Sequence, residues 1–77
     1  MDRQQIEQVV LKVISTVLRE PVGPDASRSG LAKWDSLKHV EIMFALEDAF
    51  DMVFSEEDLS GLDSVANIVD RVAADAA

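Results

Sequence analysis

The run Trp34-Asp35-Ser36-Leu37-Lys38-His39-Val40-Glu41-Ile42-Met43-Phe44-Ala45-Leu46-Glu47-Asp48-Ala49-Phe50 decides the fold. Apolar residues recur in it at helical spacing, and Asp35 or Ser36 is placed to accept hydrogen bonds from the first-turn amides as an N-cap. At ~100° per residue, Ile42, Met43, Leu46, Ala49 and Phe50 share one arc of about 120°, which reads as a core face. Leu37, Val40 and Phe44 lie on another side, within roughly 60° of one another. Glu41, Glu47, Asp48 and Asp51 lie among or beside them. In a bundle of about four helices only one of these faces can be inside. The other is expected to be exposed apolar surface rimmed by carboxylates, the usual composition of a partner site. A competing structural reading has Phe44 or Leu37 closing the bundle's edge against the preceding loop, whose Val22, Leu31 and Trp34 need cover.

Working outward toward the N-terminus, Ile6, Val9, Val10, Val13, Ile14, Val17 and Leu18 form one apolar stripe at helical spacing. This first helix is rich in β-branched residues and so depends on packing for its stability. Pro21, Gly23 and Pro24 end it and open a long loop of turn composition. Toward the C-terminus, Ser55-Glu56-Glu57-Asp58 is a capping box, and Gly61 stops that segment after about a turn and a half. Asp63-Ser64 caps a last helix with the stripe Val65, Ile68, Val69, Val72 and Ala73, and its Ala74-Asp75-Ala76-Ala77 end is expected to fray. No strand pattern appears. The fold class is therefore all-α: a four-helix bundle with a long loop between helices one and two and a short third helix.

Composition narrows the function. A chain of 77 residues supports one domain, taken as 1–77, and its 48% hydrophobic content argues for a folded core. The start at Met1 and the Ala-rich end favour a free-standing chain. There is no cysteine and one histidine, so disulfides and thiolate metal sites are excluded. Asp plus Glu number 15 against 7 Lys plus Arg, a formal charge of -8. Such a surface repels nucleic acid and anionic membrane and favours basic protein partners. No run is long enough to span a bilayer, and the N-terminus lacks a signal peptide's basic start, so a cytoplasmic monomer is expected. The chain offers no nucleophile–base pair, no phosphate-cradling glycine loop and little volume for a closed pocket, which argues against an enzyme. The acidic residues around Glu47, Asp48, Asp51 and Glu56 to Asp58 lack EF-hand spacing and read as a solvated face, with no metal site.

Ser36 opens the decisive helix, where backbone amides and the helix dipole favour an anion on its side chain. Taken alone it reads equally as an N-cap, and Asp63-Ser64-Val65 repeats the same local chemistry before a helix with one apolar stripe only.

Asp35-Ser36-Leu37, followed by Val40-Glu41-Ile42 and Ala45 to Phe50, resembles the acyl carrier protein family. Phe54-Ser55-Glu56-Glu57-Asp58-Leu59 and Val65 to Val72 extend the likeness, which runs from Trp34 to about Val72; helix one agrees in pattern. The resemblance implies that Ser36 carries 4'-phosphopantetheine, transferred from coenzyme A by a magnesium-using phosphopantetheinyl transferase. Cargo would ride on the arm as a thioester. By the same analogy Asp35 helps orient the transferase's substrate and magnesium. Leu37, Val40, Glu41, Phe44, Glu47 and Asp48 would form the face read by basic patches on acyl- or aminoacyl-loading and transferring enzymes. Lys33 and Trp34 stand where many fatty-acid carriers have glycine and a small residue, the preceding loop is short for the family and lacks its usual run of acidic and apolar residues, and Lys38 and His39 follow the serine. These departures point to a specialised carrier, serving a polyketide, an unusual lipid, or an aminoacyl or nonribosomal-peptide pathway. Trp34 reads as a loop-packing side chain and His39 as a solvated or core-edge one. The alternative from another class is an acidic helical adaptor that uses the same face of helix two and carries nothing.

Overall fold

The computed structural model describes residues 1–76. Four helices follow in order: α1 (Arg3–Leu18), α2 (Ser36–Phe50), α3 (Glu56–Gly61) and α4 (Val65–Ala76), with a 3-10 turn at Arg28–Gly30 in the loop after α1. Among the described residues there is no strand, only an isolated bridge between Ser27 and Ser64. No helix among the described residues is long and apolar enough to cross a membrane.

α1 is the central element, and its backbone runs closest to α2 and α4. It starts on a capping box that periodicity alone did not reveal: Asp2 Oδ1 accepts from the Gln5 amide at 2.8 Å, and Gln5 Oε1 accepts from the Asp2 amide at 2.9 Å. Ile6, Val10, Ile14 and Leu18 form its buried row, while Val9, Val13 and Val17 are half-buried at its margin. The helix ends before the prolines, at Arg19, whose φ of 58° turns the chain through the left-handed region. Pro21 disfavours helical backbone at Glu20, so the turn falls just ahead of it. α2 ends the same way at Asp51, φ 51°.

The core joins the α1 row to Ile42, Met43 and Leu46 of α2 and to Val65, Ile68, Val69 and Val72 of α4, closed by Trp34, Phe54 and Leu62. Two residues assigned to the core face of α2 depart from it. Ala49 is exposed and Phe50 only half-buried. Ala45 and Ala49 face Val9, Val13 and Val17 across an open groove of about 390 Å³, and alanine is too short to close it. Gly61 also differs from expectation: it lies inside the last turn of α3, and Asn67 Nδ2 donates to its carbonyl at 3.0 Å. Leu62, buried beyond it, takes the chain out of the helix. α4 stays helical through Ala76 instead of fraying from Ala74, and Ala77 lies outside the described residues.

Candidate functional site

The long loop is tied down before it reaches α2. The Arg28 amide donates to the Asp63 carbonyl at 2.7 Å, and the Val65 amide donates to the Ala26 carbonyl at 3.0 Å, which pins the loop to the junction of α3 and α4. Its far end is held by Trp34, which is 2% exposed and packs within the core, as a loop-packing tryptophan should. The Trp34 indole N–H can only donate, and it points at His39 Nδ1 from 2.9 Å. Nδ1 is therefore an acceptor, so the proton of the neutral ring sits on Nε2, which donates to the Leu59 carbonyl at 2.6 Å. The two rings are stacked, with centroids 6.1 Å apart. His39 is buried, on the core side of the two readings open to it, and joins the loop, α2 and α3 in one relay.

This relay sets the register of Asp35 and Ser36. Asp35 is the N-cap: its Oδ1 accepts from the Lys38 amide at 2.9 Å. Ser36 is the first residue inside α2, so its hydroxyl is not needed for capping and stands exposed. The matching Ser64 is placed differently. Its Oγ accepts from the Asn67 amide at 3.2 Å, and Asn67 Oδ1 accepts from the Ser64 amide at 3.0 Å, so that half-buried hydroxyl is occupied as a cap. The two Asp-Ser pairs differ by one position relative to the helix start.

Sequence reading missed Arg28. Its Nη2 donates to Ser36 Oγ at 2.9 Å. No periodicity or motif links a loop arginine to a serine eight positions on; only the fold of the loop brings them together. Arg19, Lys33 and Lys38 line a groove of about 490 Å³ with Val17, Leu18 and Asp35. Four of the seven basic residues thus gather around the head of α2, on a molecule of net charge -8.

Further along α2 the surface becomes apolar and acidic. Leu37, Val40 and Phe44 are 69%, 45% and 60% exposed. This overturns the reading in which Phe44 or Leu37 closes the bundle against the loop. Trp34 lies in the core, and Val22 and Leu31 pack on it, so the loop's apolar residues are covered from inside. Glu41 and Asp48 are exposed, and Glu41 pairs with Lys38 at 3.3 Å. Glu47 is turned inward: half-buried, its Oε2 accepts from the Phe54 amide at 2.7 Å and so fixes the chain leaving α2. On α3, Asp58 accepts from the Ser55 amide at 3.0 Å and pairs with Arg71 at 3.2 Å. The Ser55 amide bond first, then the Ser55 hydroxyl and the Arg71 guanidinium, hold its carboxyl below the ordinary 3.8 against the opposing effect of burial.

A family model described as the phosphopantetheine attachment site matches residues 8–72. The acyl carrier protein of Buchnera aphidicola subsp. Schizaphis graminum (strain Sg) is 33% identical over 70 residues, covering 87% of this chain and 89% of that protein. The chain belongs to the acyl carrier protein family, whose prosthetic group is 4'-phosphopantetheine. The head of α2 fits that group. A phosphodiester is an anion, and here an exposed hydroxyl stands at a helix start beside a guanidinium.

Proposed function

We propose that Ser36 is the attachment residue and that the chain carries acyl or related groups between enzymes, as thioesters on the arm's thiol. One observation carries this reading: Asp35 caps α2, which leaves the Ser36 hydroxyl exposed one position inside the helix. Attachment forms the Oγ–P bond and breaks the pyrophosphate P–O bond of coenzyme A, releasing adenosine 3',5'-bisphosphate; the Oγ proton passes to a base on the transferase. Asp35 has its second oxygen free to face the transferase's magnesium and substrate, since only Oδ1 takes part in the cap.

Leu37, Val40, Glu41, Phe44 and Asp48 form the docking face for basic patches on partner enzymes. Glu47 adds charge at its edge, with one oxygen already held by Phe54. The chain works as a single domain, a cytoplasmic monomer, supplying position and cargo while the partners supply catalysis. What supports a specialised carrier is that Lys33 and Trp34 stand where many fatty-acid carriers have glycine and a small residue. A polyketide, an unusual lipid or an aminoacyl unit is the expected cargo class.

Intact mass after incubation with coenzyme A, magnesium and a broad-specificity transferase tests the reading. A phosphopantetheine-sized gain that disappears in Ser36→Ala is expected. No gain, with a transferase active on a control carrier, would replace the carrier with an adaptor that uses the same exposed face.

A further inference from the structure

We propose that Arg28 is the residue of this chain that grips the phosphodiester joining the arm to Ser36, an inference that rests on Ser36 being the attachment residue. Arg28 is half-buried and forms no salt bridge among the described residues, although the chain holds 15 carboxylates. Even Asp35, beside Ser36, directs Oδ1 to the Lys38 amide and not to the guanidinium. This cation in an acidic protein bonds a neutral hydroxyl and no carboxylate among the described residues, which leaves its other N–H donors available to an anion. A guanidinium presents five N–H donors in a planar fork suited to two oxygens of a phosphate. Among the described residues one side-chain bond is made from it, to Ser36 Oγ.

The placement is built rather than incidental. The Arg28 amide is bonded to Asp63, its carbonyl accepts from the Leu31 amide at 3.4 Å, and the neighbouring Val65–Ala26 bond closes the bridge. The side chain therefore reaches Ser36 from a fixed backbone. When Oγ becomes an ester oxygen of the phosphodiester, the anionic oxygens lie two bonds beyond the atom Arg28 already touches, on the phosphorus that Oγ joins. The remaining N–H groups meet them with no movement of the loop, and charge-assisted bonds of this kind are roughly twice as strong as neutral ones. Two consequences follow. The arm leaves Ser36 in a restricted direction, and attachment tightens the loop against the junction of α3 and α4.

The test compares the full chain with and without the arm in three forms: unaltered, Arg28→Gln and Arg28→Lys. Mass spectrometry first checks that the gain is on Ser36; a gain elsewhere, or none, removes the reading beneath the proposal and is recognised at that step. With the arm on Ser36, attachment is expected to raise the folding equilibrium constant of the unaltered chain by about tenfold and that of Arg28→Gln by less than about twofold, with Arg28→Lys between them. The phosphorus NMR resonance of the diester should shift in Arg28→Gln, while Trp34 fluorescence, a report on the core, stays unchanged. Equal stabilisation by the arm in all three forms, or an unshifted phosphorus resonance, overturns the proposal. If Arg28→Gln fails to fold, the unaltered chain and Arg28→Lys decide it by the same two readouts.

Discussion

Ser36 and Ser64 each follow an aspartate and precede an apolar residue, and the fold gives them different work. Ser64 caps α4 through the Asn67 amide, whereas at α2 Asp35 is the cap and Ser36 stands free of it. Removing each hydroxyl should show this. Ser64→Ala is expected to cost about 1 kcal/mol, the usual loss of a cap, and Ser36→Ala less than about 0.5 kcal/mol, both read by urea denaturation. Equal losses would place Ser36 in the cap. Arg28 sharpens the same lesson. The pairing of Arg28 with Ser36 follows from the bridge that sets the loop, and nothing in the spacing of the two residues announces it.

At the scale of the element, α2 is a helix with two apolar faces and one interior. Ile42 is fully buried and Phe44 is 60% exposed. Ile42→Ala should therefore cost about 2–5 kcal/mol as a core truncation, and Phe44→Ala less than about 0.5 kcal/mol while weakening transfer to partner enzymes. A large stability loss for Phe44→Ala would show that the side chain closes the bundle after all. The short α3 is too small to persist alone. Its capping box closes its own first turn, and the Asp58–Arg71 link holds it to α4. Because the Asp58 carboxyl is held below its ordinary 3.8, the folded state favours its ionised form. That contribution is complete above the ordinary value and is lost as pH falls through the lowered one. The stability difference between the unaltered chain and Asp58→Asn should stay constant from neutral pH down to about 5 and shrink below it. A difference that grew on acidification would reverse the sign of the shift.

Across the whole molecule the charge is divided. Arg19, Arg28, Lys33 and Lys38 collect near Ser36, while Glu41 and Asp48 flank the exposed apolar residues further along α2. On the proposed docking face these charges are exposed, so their attraction for a basic partner would be screened by salt. Partner association should slow as ionic strength rises, and Glu41→Lys should weaken it further with helicity unchanged, by circular dichroism. Loss of helicity in Glu41→Lys would make Glu41 a structural residue.

The sequence by itself determined the four helices, the buried stripes and the two-faced character of α2, because these depend on residues three or four apart. The likeness around Asp35-Ser36-Leu37 was equally local. The tertiary structure decided what depends on distant contacts. Ala49 is exposed because its neighbours across the groove come from α1, and Glu47 is turned inward because the Phe54 amide lies within its reach. Both nitrogens of the buried His39 find partners because an indole and a carbonyl from two other segments meet there. Arg28 reaches Ser36 only once the loop is bridged to the start of α4. Periodicity records which side of a helix is apolar; which polar groups meet across loops is set by chain closure.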